Sequence, residues 1–442
     1  MRRVDATPTW QPWTLREHLS AADPAGSMER AERRYREVDS QLHCWVGREP
    51  RSSAQHLDVA SNDGPLAGVP LGVKDVIDLA GHPTRCGSTL RADALPATDD
   101  ADIVTAWRRA GAVPVGKTVT TEFAYFSPGP THNPARIHHT PGGSSSGSAA
   151  AVASGQVPLA LGAQTAGSVT RPAAYCGVAS MVMTPGRFPG RGVVGLSPSL
   201  DAHGFLSATV ADLAYAWGAL VPGAGGKADT PEEALPRRIL LWHPHGVGDV
   251  DGEMTAAVSL VGHLLEDGGV DVDLVPSDGL ARELVDAHLT VMAFEAARER
   301  PAELASAEML SEQLATLLRR GAALHEDEHE AALVVARNHL RSLLHIFETV
   351  DAIVGPAALG PAPAGLSATG DPVLSRPWQV LGLPTVGIPG LRTSDGLPLG
   401  LQAIGRPGGE SALLSAARAV EHLVTEHVGS HPADPTRGSA AR

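Results

Sequence analysis

Two textures of apolar and polar residues follow one another along this chain. Over residues 12–47, apolar positions recur at three- and four-residue spacing, in LREHLSAAD and again in MERAERRYREVDSQLHCWV. That period predicts helices, read as an N-terminal segment (1–60) packing on the main body. From Gly64 the pattern changes to short apolar runs between Gly- and Pro-containing turns. GVPLGVKDVI and GAVPVGKT read as buried strands. DADIVTAWRRAG between them reads as an amphipathic helix with Asp99 or Asp100 as its N-cap. SAAAVASG is a short helix of small residues, followed by the strand VPLALGA. After a polar link at 223–236, RRILLWHP restarts a strand, and 282–349 is the least strand-like stretch, mostly helical. VDAIVGPAA, GLPTVGIPG and LPLGLQAIG read as strands before the closing helix SALLSAARAVEHLV. Such alternation argues for an α/β domain, a sheet with helices on its faces, over 61–430. The tail 431–442 reads as disordered.

Composition narrows this picture. With 43% hydrophobic and 19% charged residues over 442 positions, the chain has material for a large core. Gly (48) and Pro (35) together exceed the usual ~12% without a fixed period, which implies many tight loops and excludes collagen. The net charge of −14 disfavours a nucleic acid or an anionic membrane as partner. Three widely spaced cysteines, Cys44, Cys86 and Cys176, suggest neither a disulfide framework nor a zinc knuckle. The N-terminus lacks a signal-peptide apolar stretch and no apolar run is long enough to span a bilayer, so the expected location is cytoplasmic.

Only three of the 35 basic residues are lysine: Lys74, Lys117 and Lys227. A GC-rich genome replaces lysine by arginine wherever a fixed charge suffices. Chemistry that needs a removable proton cannot accept the exchange, because guanidinium does not deprotonate in proteins. Lys74 lies in Leu71-Gly72-Val73-Lys74-Asp75-Val76-Ile77, an apolar strand-like run. Burial there would lower its pKa and make it a base, while a structural ion pair with Asp75 is the plainer alternative. Lys117, at a strand end, is expected to anchor neighbouring loops, and Lys227 to be solvated in the polar link.

Serines cluster in Pro141-Gly142-Gly143-Ser144-Ser145-Ser146-Gly147-Ser148 and in Gln164-Thr165-Ala166-Gly167-Ser168, which follows a strand. Serines in glycine-rich turns can be nucleophiles whose neighbouring N–H groups face a developing oxyanion. Gly143 to Gly147 also satisfies the G-x-S-x-G elbow, but the polar segment NPARIHHTP before it is not the strand an elbow requires. With 19 histidines, composition alone leaves a Ser-His-Asp arrangement open.

The blocks GVPLGVKDVID, GAVPVGKTVTTEFA, TPGGSSSGSAAAVASG and GAQTAGSVTRPAAYCGV, followed by GLPTVGIPG and GLPLGLQAIGRPGGESALL, resemble the amidase signature family in sequence and in order. The resemblance implies that family's α/β fold, a central mixed β-sheet covered on both faces by helices. It also implies a Ser–cis-Ser–Lys triad: Lys74 as base, Ser144 as bridging serine after a cis Gly143–Ser144 peptide, and Ser168 as nucleophile. The N–H groups of Thr165, Ala166, Gly167 and Ser168 would hold the oxyanion. Phe123, Tyr125, Phe126, Ser127, Arg171 and Trp378 are candidates for the substrate pocket. The loop Phe123–Pro130 and the helical stretch 282–349 would shape it. The implied activity is hydrolysis of a linear amide, carbamate or ester through an acyl-enzyme, with no cofactor and no metal, and a homodimer as the assembly left open. Its alternatives are one component of a multi-chain amidotransferase or a non-catalytic homologue.

Three departures stand out. Gln164 replaces an acid, Thr170 pushes Arg171 one place late, and Val182-Met183-Thr184 replaces a lysine-proline-threonine step. They weaken any transfer of substrate preference and argue against the glutamine-hydrolysing component of the tRNA amidotransferase. Other motifs are weaker still. His325-Glu326-Asp327-Glu328-His329 matches H-E-x-x-H, yet its acidic flanks suit a solvated helix start rather than zinc. Asp249-Val250-Asp251-Gly252 lacks the rest of a calcium loop, and Gly223–Lys227 is no phosphate loop.

Overall fold

The computed structural model describes residues 11–21, 23–47, 64–221, 223, 235–275 and 279–430. The tail from 431, Lys227 with most of its polar link, and the boundary expected near residue 60 lie outside the described residues. Ten strands form one sheet: β1 (Pro70–Lys74), β2 (Val113–Thr118), β3 (Leu159–Gln164), β4 (Ala179–Val182), β5 (Ala202–Ser207), β6 (Arg238–Leu241), β7 (Asp271–Leu274), β8 (Ala352–Pro356), β9 (Thr385–Arg392) and β10 (Pro398–Ile404). Their order is β2-β1-β3-β5-β4-β9-β10-β8-β6-β7. Pairing is parallel at both ends of the sheet and antiparallel from β3 through to β8, so the sheet is mixed.

Successive side chains on a strand point to opposite faces, and here each face meets its own helices. Leu71, Val73, Leu159, Leu161, Met181 and Phe205 enter one core with Trp107 and Trp217. The alternate residues Ala160, Val182 and Leu206 enter a second core with Met28, Val38, Leu42 and Ala149–Ala153. Helices α1 (Leu15–Ala21), α2 (Pro24–Leu42), α3 (Asp102–Arg109), α4 (Ser146–Ala153), α5 (Thr170–Cys176), α6 (Val210–Leu220) and α7 (Gly252–Asp267) cover these faces in the first part of the chain. The stretch expected to be helical holds α8 (Gly279–Glu299), α9 (Pro301–Ala305), α10 (Glu312–Ala323) and α11 (Glu326–Ile346). Short α12 (Arg376–Val380) and long α13 (Glu410–Ser430) complete the fold.

One cap differs from expectation. Helix α3 starts at Asp102 after Ala101, without a side-chain cap. Asp100 instead accepts from the Ala80 N–H at 2.9 Å and pairs with Arg108 at 2.6 Å. A tertiary contact has taken the carboxylate that local pattern assigned to the helix end.

Candidate active site

Strand alternation decides where Lys74 points. Leu71 and Val73 face the first core, so Gly72 and Lys74 face the other side, where α4 begins. A Cβ on Gly72 would meet Thr118, Ala160 and Trp45 on that side, at 3.0–3.4 Å. Strand β3 runs parallel beside β1, with Val73 opposite Leu161. Lys74 and Gln164 are therefore the last residues of neighbouring parallel strands, and the segments after them leave the sheet at the same edge. Sites at the carboxyl ends of parallel strands are a common consequence of this layout.

Lys74 is fully buried. Its Nζ donates to Ser144 Oγ at 2.7 Å and to the Ala163 carbonyl at 3.0 Å. Burial pulls its pKa down to about 7, against a smaller opposing effect of the Asp201 charge. The alternative pairing with Asp75 does not form. Asp75 is bound to Lys117 at 3.1 Å, both buried, and Lys117 also donates to Thr84 Oγ1 at 2.9 Å. Lys117 thus ties β2 to the Asp75–Thr84 segment.

The Gly143–Ser144 peptide is cis. Within the serine run the hydroxyls diverge. Ser144 meets Lys74, Ser146 donates weakly to the Val119 carbonyl, and Ser148 reaches the Leu161 carbonyl at 2.8 Å. Ser145, the central residue of the elbow pattern, is fully buried, and no strand precedes it. Its N–H donates to the Ser168 carbonyl at 3.0 Å, joining the two serine-bearing loops.

Ser144, Thr165, Ala166, Gly167 and Ser168 line one cleft of about 340 Å³, part of it open to solvent. Gln164 explains how this loop is held. Its Oε1 accepts from the N–H groups of Val169 and Thr170 at 2.8 and 3.1 Å, while its Nε2 donates to Gln379 Oε1. An amide does here what a carboxylate alone could not: it accepts from two N–H groups and donates to a third partner. The N–H groups of Thr165 through Ser168 donate to no other described residue.

Three buried groups that the sequence did not single out support the loop. Asp201 accepts from Thr165 Oγ1 and from the Leu196 and Ser197 N–H groups, and burial raises its pKa to about 6. His288, on α8, is fully buried with Nε2 at 2.8 Å from the Thr165 carbonyl. Its Nδ1 lies 3.1 Å from Arg376 Nη1. Burial first and the Arg376 charge second hold its pKa down to about 3, so it is a neutral imidazole that donates to Thr165 and accepts from Arg376.

The pocket candidates divide. Tyr125, Phe126 and Arg171 line the cleft, joined by Met292 from α8 and by Arg376. Phe123 and Trp378 do not; both are buried in the main core, Trp378 edge-to-face with Trp242 at 4.8 Å. Large rings followed the general demand for core volume there. Ser127 is half-buried beside the cleft, with its N–H on the Tyr125 carbonyl. Phe123, Ala124 and Phe126 adopt positive φ, which turns the loop back on itself. Glu122 anchors its start, accepting from Ser88 Oγ and the Ser311 N–H, both at 2.8 Å.

His325 and His329 form no metal site. His325 stands at the N-cap of α11, where its N–H donates to Glu328 Oε2 at 2.9 Å, and His329 stacks on Phe294 and meets Glu295 at 3.1 Å. Among the described residues no group of His, Cys, Asp and Glu could hold a metal ion, and no helix is long and apolar enough to cross a membrane. Asp251 caps α7, accepting from the Glu253 N–H at 2.8 Å.

A family model described as Amidase matches residues 27–414. The chain belongs to the amidase family. It is 30% identical to one component of the glutamyl-tRNA(Gln) amidotransferase of Methanosarcina barkeri, over 88% of this chain and 91% of that protein. It is 32% identical to AmiA2 of Mycobacterium tuberculosis, named as a candidate amidase, over 84% of this chain and 82% of that one. Among solved structures, a crystal structure of an amidase superposes with a TM-score of 0.81 at 26% identity, over 93% of this chain and 99% of the other. This amidase-family chain has the amidase-signature α/β fold, and its membership places it among hydrolases acting on carbon–nitrogen bonds.

Proposed function

We propose that this family member hydrolyses a linear amide, or a carbamate or ester of similar shape, through a serine acyl-enzyme. The observation that carries the reading is the buried Lys74 ammonium, which has no carboxylate in contact among the described residues and a serine hydroxyl at 2.7 Å. At its reference pKa a lysine is neutral about once in 2,500 at pH 7. Burial that lowers it to about 7 makes the neutral form readily available near neutral pH. In the relay, neutral Lys74 takes the proton of Ser144, and Ser144 takes that of Ser168 as Ser168 Oγ bonds to the substrate carbonyl carbon. The oxyanion forms against the unoccupied N–H groups of Thr165 to Ser168. The C–N bond then breaks as the relay returns the proton to the leaving amine. Water attacks the acyl-enzyme along the same path, releasing the carboxylic acid and restoring Ser168.

The test is a screen of amides, carbamates and esters on the purified chain, with Ser168→Ala as blank. Turnover that the blank lacks supports the reading; equal turnover by both proteins overturns it. The Methanosarcina relative supplies a second reading, one component of a multi-chain amidotransferase. A chain that acts only with a partner protein present would favour that one.

A further inference from the structure

The cleft that holds Ser168 also holds two buried cations with no carboxylate in contact among the described residues. Arg376 is 6% exposed, and its one hydrogen bond among the described residues goes to a neutral acceptor, His288. Arg171, 4% exposed, donates from Nε to the Thr369 carbonyl at 2.8 Å and from Nη2 to the Gly143 carbonyl at 2.7 Å. Its Nη1 is buried without a partner among the described residues. That nitrogen lies beside the nucleophile loop, 3.3 Å from where a Cβ on Gly167 would stand. The charge of Asp371 reaches both guanidiniums only at longer range; its carboxylate is exposed and accepts from the Val373 N–H. Arg320, exposed on α10, adds a further positive charge near Arg376.

Burying a charge is costly unless it is paired. Lys117 satisfies that rule with Asp75. Arg171 and Arg376 do not, and both line the cleft. A guanidinium presents its N–H groups as a planar fork that fits a carboxylate. We propose that the substrate of this cleft carries a carboxylate besides its scissile amide, and that Arg376, with Arg171, holds it while Ser168 meets the carbonyl. The proposal rests on Ser168 being the acylated serine. A neutral amide would leave both cations unanswered. An anionic one completes the site, and the local positive field offsets the repulsion of a chain with net charge −14.

The experiment follows the rate at which phenylmethylsulfonyl fluoride labels Ser168, read by peptide mass spectrometry. Glutarate or succinate should slow labelling about tenfold or more under conditions where neutral pentanamide has little effect. Arg376→Gln should remove that difference, and Arg376→Lys, which keeps charge but loses the fork, should keep part of it. Equal protection by anion and neutral amide, or a preference for anions that survives Arg376→Gln, overturns the proposal while leaving the acylated serine intact. Absence of any label on Ser168 overturns the underlying reading, and this one with it. Two substrates then place the carboxylate: faster turnover of glutaramate puts it on the acyl side, and of N-acetyl-β-alanine on the amine side.

Discussion

Lys74 and Lys117 differ in their partners, and in the proposed mechanism that difference separates chemistry from structure. Both are buried, and burial lowers the pKa of each. Lys117 keeps a carboxylate, Asp75, in contact; Lys74 has only a hydroxyl and a carbonyl. The base must be neutral to act, so kcat/KM should rise with pH through an acid limb centred near 7 and level off above it. Lys74→Arg keeps the charge but cannot release a proton, and should lower kcat by about two to four orders of magnitude. An active arginine variant, or a flat profile from about pH 5 to 9, would contradict this mechanism. The scarcity of lysine made Lys74 visible in the sequence, but not which partner Asp75 would choose. Asp75 follows Lys74 directly and so points to the opposite face, toward Lys117 on the neighbouring strand β2.

At the scale of elements, buried apolar strands and the small-residue helix α4 were legible because burial on both faces leaves a plain apolar signature. Strands β4, β5 and β7 were not: β4 (ASMV) is only four residues long, β5 (AHGFLS) carries a histidine and a glycine within it, and three of the four residues of β7, Asp271, Asp273 and Leu274, are exposed at the sheet edge. Nor were the roles of His288 and Arg376, which lie 88 residues apart and meet only in the fold. Helix α8 brings Met292 to the cleft and His288 to the Thr165 carbonyl behind it, and its position depends on close contact with α10. Gly321 on α10 sits against the Ala293 carbonyl, where any Cβ would collide with backbone. Gly321→Val should therefore push the two helices apart and destabilise the protein by about 1–3 kcal/mol. A thermal melt checks this, and a midpoint unchanged from the parent would show that the helices do not need the contact. Glu295 ties α8 in turn to the loop that leads to Asp201, its Oε2 accepting from Ser197 Oγ and the Ser199 N–H.

For the whole molecule, the sheet's change from parallel to antiparallel pairing beyond β3 sets the site at its edge. Strands β1 and β3 deliver Lys74 and the 165–168 loop side by side, the turn before α4 supplies Ser144 from one face, and α8 with α12 closes the cleft from elsewhere in the chain. Family and fold were legible because the matched blocks are the strand ends and turns that build this edge. The pocket was legible only in part: Tyr125, Phe126 and Arg171 line it, whereas Phe123 and Trp378 went to the core. Aromatic residues serve both places, and sequence does not separate them. The central claim is that Ser168, activated through Ser144 by Lys74, becomes acylated. Mapping the site of a serine-directed sulfonyl fluoride by peptide mass spectrometry tests it most directly. Ser168 should be the one modified residue, labelled much more slowly in Lys74→Ala; modification of Ser144, Ser145 or Ser146 instead, or labelling indifferent to Lys74, would contradict it.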